Sequence, residues 1–197
     1  MLRIGLTGGI AAGKSVVAER LGELGACIVD HDQLSRRVVE PGSAALIEII
    51  RAFGDRVVVG GILDREALAG LVFGDARARK RLNGIVHPYI EAMASAKDRQ
   101  LRAEGHTVVV HDIPLLVETG QGSAFGLVVT VAAPEELRLK RLMENRGMRH
   151  DPAQARIDSQ ASDAERAAVA DQVLDGSGTR ENLRAQVDEF WETHVPH

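Results

Sequence analysis

The chain has 197 residues, 45% of them apolar and 26% charged, which suits one domain with a proper core. Its 24 basic and 28 acidic residues give a formal charge of −4, arguing against a protein that lives on nucleic acid, and aromatics at 3% are too few for base-stacking platforms. The single cysteine, Cys27, excludes an internal disulfide and a cysteine-based zinc cluster. No apolar run is long enough to span a bilayer, and "MLRIGLTGG" is too short an apolar stretch for a signal peptide, so the expectation is a cytoplasmic protein without a membrane partner.

In chain order, "LRIGLT" (2–7) predicts a short buried strand ended by glycine. Val17, Leu21 and Leu24 recur at helical spacing from Lys14 to Leu24, and Gly25 closes that helix. "ACIVD" (26–30) predicts a second strand, completing a βαβ unit in about thirty residues. From Asp32 to about Arg102 the pattern is helical, punctuated by Pro41-Gly42, Gly54, Gly60-Gly61, Gly74 and His87-Pro88, with "RVVVGG" (56–61) the one candidate strand. "TVVVHD" (107–112) and "GLVVTV" (126–131) return to buried strands, and Pro134 starts a basic helix. A polar, apolar-poor stretch follows from Gly147 to about Ser162; 170–175 predicts a last strand and 179–193 a closing helix. Strands separated by helices predict an α/β fold with a parallel sheet.

The densest chemistry lies in "LTGGIAAGKS" (6–15). Gly8-x-x-x-x-Gly13-Lys14-Ser15 is the full P-loop pattern, placed after a strand and opening a helix. Glycine there leaves backbone N–H groups bare, so the stretch Gly8, Gly9, Ile10, Ala11, Ala12, Gly13, Lys14, Ser15 and Val16 is the candidate ATP-phosphate cradle. Lys14 is expected to reach the β- and γ-phosphates, and the Ser15 hydroxyl to bind the Mg²⁺ that bridges them. A regulatory GTPase needs Asn-Lys-x-Asp together with a switch Asp-x-x-Gly; Asn-Lys-x-Asp does not occur, and Asp-x-x-Gly occurs only as Asp175-Gly176-Ser177-Gly178, far along the chain from the loop. A motor or transporter subunit usually carries Asp-Glu after its second apolar strand, whereas Asp112 is followed by Ile113. A small-molecule kinase fits what remains. A kinase must orient an acceptor hydroxyl, and Asp30 and Asp32, directly after the second strand, are the candidates, although Asp32 also suits the N-cap of a helix starting at Gln33. Other acceptors, such as a nucleoside monophosphate or a polyol, and a nucleotide-dependent binding protein without turnover, stay open on these residues alone.

In order and spacing, "GLTGGIAAGKS", "VDHDQLSRRVVEPG", "VHPYI", "DIPLLVE", "LKRLMENRGM" and "ARIDSQAS…ADQVLDGSG" resemble the dephospho-CoA kinase family, from Arg3 to about Glu189. The resemblance implies a P-loop NTPase three-layer fold with a helical substrate-binding insertion and a small lid. The implied division is a nucleotide-binding core of 1–32 and 104–197, a helical CoA-binding subdomain of 33–103, and a lid at 138–162. The implied reaction moves the γ-phosphate of ATP to the 3′-hydroxyl of the ribose of dephospho-CoA, by a monomer with two small-molecule substrates. The resemblance makes Asp32 the general base and places Arg36 near the acceptor nucleotide. It puts His87 in the substrate domain, Pro114, Leu115 and Leu116 on the acceptor wall, and Asp112 on magnesium through water. The lid departs from the family pattern: where many relatives have Arg-Asp-Gly, this chain has Asn145-Arg146-Gly147, so Arg146 is expected to supply the guanidinium that closes on the phosphate. Arg138, Lys140, Arg141 and Arg149 are alternative donors, with Arg141 also expected at ATP. "LDGSG" replaces Asp-Asn-x-Gly, so any contact from Gly176 must come from backbone.

Overall fold

A computed structural model of the chain describes residues 1–195; Pro196 and His197, the end of the expected 104–197 segment, lie outside the described residues. The elements are β1 (Leu2–Gly8), α1 (Lys14–Glu23), β2 (Cys27–Asp30), α2 (His31–Arg37), α3 (Ala44–Phe53), β3 (Val58–Val59), β4 (Ile62–Leu63), α4 (Arg65–Val72) and α5 (Ala76–Ala103). There follow β5 (Val108–Asp112), β6 (Leu127–Ala132), α6 (Glu135–Arg146), α7 (His150–Asp158), α8 (Asp163–Val169), β7 (Gln172–Asp175) and α9 (Arg180–His194). They sort into two compact units: Met1–Asp30 with the chain from Leu101 onward, and His31–Gln100.

The first unit is built on a parallel sheet in the order β2-β5-β1-β6-β7. β1 lies at its centre, Ile4 facing Val110 on one side and Leu127 on the other. A strand covered on both faces must be apolar throughout, which is why "LRIGLT" carries no alternation. Ile4, Leu6, Val110 and Val129 join one core with Val17 and Leu21 of α1 and Leu183, Val187 and Phe190 of α9. Fully burying each such side chain contributes about 1.5–3 kcal/mol, so this core dominates over the ion pairs that also link α1 to α9, the partly exposed Arg20–Asp188 at 2.5 Å and the exposed Arg180–Glu19 at 2.6 Å.

In this unit the polar stretch after α6 is more ordered than its composition predicts. It contains α7, whose Ala153 and Ile157 pack on Leu142 of α6 together with Ile10. Pro152 is accommodated because the first four N–H groups of a helix have no partner within it.

The second unit is a separate helical body. Ser43 caps α3, its hydroxyl accepting from the Leu46 N–H at 3.2 Å, and the Asp64 carboxylate caps α4 through the Ala67 N–H at 2.9 Å. The candidate strand at 56–61 is a two-residue hairpin arm, Val59 facing Ile62 across Gly60-Gly61. Both glycines have positive φ, 59° and 81°, as the tight hairpin turn requires. His87-Pro88 does not punctuate the chain: both lie inside the 28-residue α5. Pro88 forfeits one helical hydrogen bond, and the helix continues because Leu82, Ile85, Val86, Tyr89, Ile90 and Met93 pack on a core of Val38, Val39, Ile49, Val57 and Leu68.

Candidate active site

The phosphate loop runs from Gly9 to Gly13, between the end of β1 and the start of α1. Gly13 has φ +120°, a conformation that favours glycine, and a Cβ there would lie 2.9 Å from Leu183 Cδ2, so that side chain would have to shift. Ala11, at φ +62°, is the one non-glycine residue with positive φ among the described residues. A left-handed alanine costs about 1 kcal/mol or more and persists only where its surroundings hold it. The N-terminus of α1 receives no side-chain cap, and its first turn contains no acid. Its leading N–H groups and the positive end of its dipole therefore suit an anion.

At the carboxyl end of the sheet the Lys14 ammonium pairs with the Asp112 carboxylate, both side chains less than one-fifth exposed. Asp112 is in register with Asp30 of β2. The Thr7 hydroxyl donates to the Pro114 carbonyl at 3.3 Å, and the Ile113 N–H to Leu6 at 2.9 Å, tying the turn after β5 to the strand that carries the loop. Ser15, one residue past Lys14, is exposed. One edge of the first unit thus collects the cation, the hydroxyl and two carboxylates. Asp32 follows Asp30 by two residues, exposed, in the first turn of α2. It is a helical residue and not an N-cap, because α2 already begins at His31.

A cavity of about 340 Å³ opens along the loop, lined by Ala11, Ala12, Gly13, Ser15, Val16 and Arg141, and beyond them by Arg146, Gly176 and Arg180. Arg141 holds its wall together: Nη1 donates to the Ala11 and Ala12 carbonyls at 3.1 and 3.4 Å, and Nη2 to the Gly176 carbonyl at 2.8 Å. Gly176 lies so close that a Cβ would stand 2.0 Å from the Ala12 oxygen. The sequence suggests only that this position has no side chain to offer; the packing shows that it has no room for one. Arg146, the last residue of α6, is exposed at the rim.

The other basic candidates part company. Arg138 is 5% exposed, its Nε donating to the Ala133 carbonyl at 3.0 Å and its Nη2 3.5 Å from Asp163, so it is a structural anchor and not a mobile donor. A Cβ on Gly9 would lie 2.6 Å from its Nη1, which places this guanidinium against the loop. Lys140 is exposed and 3.9 Å from Glu144, a solvated pair, and Arg149 is exposed just before α7. Leu115 is 47% exposed and Leu116 buried on the turn after β5. In the second unit Arg36 is exposed on α2, and His87 lines a cavity of about 230 Å³ with Ser35, Val39, Ile49, Leu68 and Leu82.

Sequence reasoning missed Gln160. Its Oε1 accepts the Ile10 N–H at 2.8 Å across 150 residues of chain. It lies inside the "ARIDSQAS" stretch that carries the resemblance, but a lone amide has no spacing signature that would assign it a role. Glu118, the last residue of the "DIPLLVE" stretch, is assigned no role from sequence; it accepts the Ala161 N–H at 2.8 Å and lies 3.5 Å from the buried Arg166.

Comparison with known proteins sets this geometry in a lineage. The chain is 50% identical over 193 residues to the dephospho-CoA kinase of Leifsonia xyli subsp. xyli, covering 97% of this chain and 98% of that protein. Among solved structures, TT1252 from Thermus thermophilus superposes with a TM-score of 0.83 at 36% identity, covering 98% of this chain and 97% of that one. The dephospho-CoA kinase from Campylobacter jejuni gives 0.62 at 26% identity, covering 96% and 95%. The family model for dephospho-CoA kinase matches residues 2–182. A P-loop on a five-stranded parallel sheet, a helical second unit and these matches over nearly the whole chain lead to one assignment: the chain belongs to the dephospho-CoA kinase family.

Proposed function

We propose that the chain performs its family's reaction, the ATP-dependent phosphorylation of dephospho-CoA to coenzyme A, with the residues gathered on the sheet edge and along the loop. The nucleoside of ATP enters the cavity beside Arg141 and Gly176, and its phosphates lie on the loop from Gly8 to Ser15 and on the helix end behind it. The observation that carries this reading is the Lys14–Asp112 pair at the mouth of an uncapped helix N-terminus. A cation held there by one carboxylate is ready to turn to a triphosphate, and Asp112 is then released for other work.

Mg²⁺ fits these donors. The Ser15 hydroxyl and the Asp112 carboxylate are hard oxygen ligands, and no group of three or more His, Cys, Asp or Glu gathers to hold a metal among the described residues. That is the donor set of a magnesium ion held by one or two protein groups and substrate phosphates, not by an all-protein cage. When bound, the ion neutralises phosphate charge. Asp32 accepts the proton of the ribose 3′-hydroxyl, and Arg36, His87, Pro114 and Leu115 bind the acceptor, with residues 33–103 as the CoA-binding subdomain. Of the 138–162 lid segment, Arg138, Leu142, Ala153 and Ile157 are packed in place, so the exposed stretch Asn145–Gly147 is the part that closes, and Arg146 brings its guanidinium to the transferring phosphate, a contribution of about 10³–10⁵ in rate where such arginines operate. Excluding water from the closed site suppresses hydrolysis of ATP. The enzyme works in the cytoplasm as a monomer.

The test is ADP release from Mg·ATP with and without dephospho-CoA, with the product followed by mass. ADP formed one-for-one with coenzyme A is the expected result. ADP release indifferent to dephospho-CoA removes this acceptor and leaves a nucleotide site alone.

A further inference from the structure

Phosphate loops depend on peptide groups pointing in fixed directions, so whatever holds those peptides sets the chemistry. Two anchors grip this loop from opposite ends. At the Ala11–Ala12 end the anchor is Arg141, described above. At the Gly9–Ile10 end it is the segment after α7. The Ile10 N–H donates to Gln160 Oε1, and the Ile10 side chain packs with Leu142, Ala153 and Ile157. Gln160 is itself fixed: its N–H donates to the Ile157 carbonyl at 3.1 Å, and the next N–H, of Ala161, donates to Glu118. Glu118 is held by Arg166, which is 1% exposed and also pairs with Asp163 at 3.1 Å. Asp163 meets Arg138, whose guanidinium lies on Gly9. The circuit from Gln160 through Glu118, Arg166, Asp163 and Arg138 thus begins and ends on adjacent residues of the phosphate loop.

From this circuit we infer that Gln160 is a positioning residue for phosphoryl transfer. It fixes the Ile10 peptide, next to the left-handed Ala11, and so sets the direction of the loop's entry from β1. The role rests on the loop being the triphosphate site. It is separable from nucleoside binding, because the cavity wall beside Ala11, Ala12 and Gly176 is held by Arg141 and does not include Ile10. Loss of the Gln160 bond is therefore felt in the transfer step and not in the grip on the nucleotide. Gln160 touches the loop and acts through it, and no proton moves to or from its carboxamide.

The experiment uses Gln160→Leu, which keeps the side chain's bulk and removes its acceptor. The expected result is a fall in kcat of about 10- to 100-fold, the scale on which small misplacements act. ADP affinity by calorimetry and KM for ATP stay within about threefold of wild type, because uniform binding is untouched. The thermal midpoint stays within about 3 °C. Exchange of the Ile10 amide with solvent, read by NMR in the nucleotide-free protein, accelerates by about tenfold or more as its acceptor is lost. Unchanged kcat, unchanged Ile10 exchange, or a parallel loss of kcat, ADP affinity and thermal midpoint each overturn the assignment, the last by making Gln160 a plain structural tie. Wild-type protein that forms no coenzyme A overturns instead the reading of the site. Active wild type, inactive Lys14→Ala and fully active Gln160→Leu defeat only the Gln160 proposal.

Discussion

Replacing Gly176 by alanine tests the architecture of the cavity along the loop with the smallest possible change. The new Cβ would stand 2.0 Å from the Ala12 carbonyl oxygen, 3.1 Å from its carbonyl carbon and 3.2 Å from Val131 Cγ1. The first two neighbours are backbone, so no rotamer change relieves the overlap, and the two strands of chain must part by more than about 1 Å to reach ordinary contact. Parting them strains the Gly176 N–H bond to Ala132, 2.8 Å, and the Arg141 bond to the Gly176 carbonyl, also 2.8 Å. Overpacking costs about 1–3 kcal/mol, and weakening a hydrogen bond to a charged group adds about 1–2 kcal/mol. The sum of about 2–5 kcal/mol lowers the thermal midpoint by about 5–15 °C in a chain of this length. ADP affinity falls about tenfold or more, the loss of roughly 1.4 kcal/mol or greater. Scanning calorimetry and titration with ADP measure both. Gly178→Ala is the stability control: its Cβ meets only the Asn182 side chain, at 3.3 and 3.4 Å, and the midpoint stays within about 2 °C. Gly176→Ala protein that melts and binds ADP like wild type refutes the reasoning.

Three other changes address different parts of the molecule. Asp32→Asn lowers kcat by about 10²–10⁴-fold with ATP binding retained, the reach of a general base; near-normal turnover removes Asp32 from that role. Arg141→Ala deletes the three hydrogen bonds to Ala11, Ala12 and Gly176, and weakens ADP binding by about 10- to 100-fold in calorimetry; undiminished affinity means the wall stands without it. Glu23, bonded first to Arg184 and then to Arg20, has its pKa held down at about 2 from 4.5. Its ionised form stabilises the fold above about pH 4.5, and that share is lost as pH falls toward about 2. Glu23→Gln is therefore less stable than wild type at neutral pH, with the gap closing over that window in acid melts; a gap independent of pH contradicts the pairing.

The parts legible in the sequence are those where one constraint acts alone. A central parallel strand must be apolar and a phosphate cradle must bare its backbone, so β1 and Gly8–Ser15 announce themselves locally. The parts that escaped depend on distant partners. Arg138 is written as one more charge on a basic helix, and only the proximity of Ala133, Asp163 and Gly9 makes it a buried anchor. Gly176 looks like an omission until the Ala12 carbonyl is placed against it. Pro88 reads as a stop because local sequence shows the lost hydrogen bond and not the apolar face that outweighs it. α7 is hidden by a polar composition in which Ala153 and Ile157 suffice as anchors.

The phosphate loop is local as a motif but not as a structure. All eight residues of its motif are contiguous in the chain, yet its shape is borrowed from Arg141, Gln160 and Gly176. The strand that carries it needs β5 and β6 as neighbours on its two sides. The motif is therefore legible in fifteen residues, while the loop's geometry is complete only when the C-terminal third of the chain is packed against it.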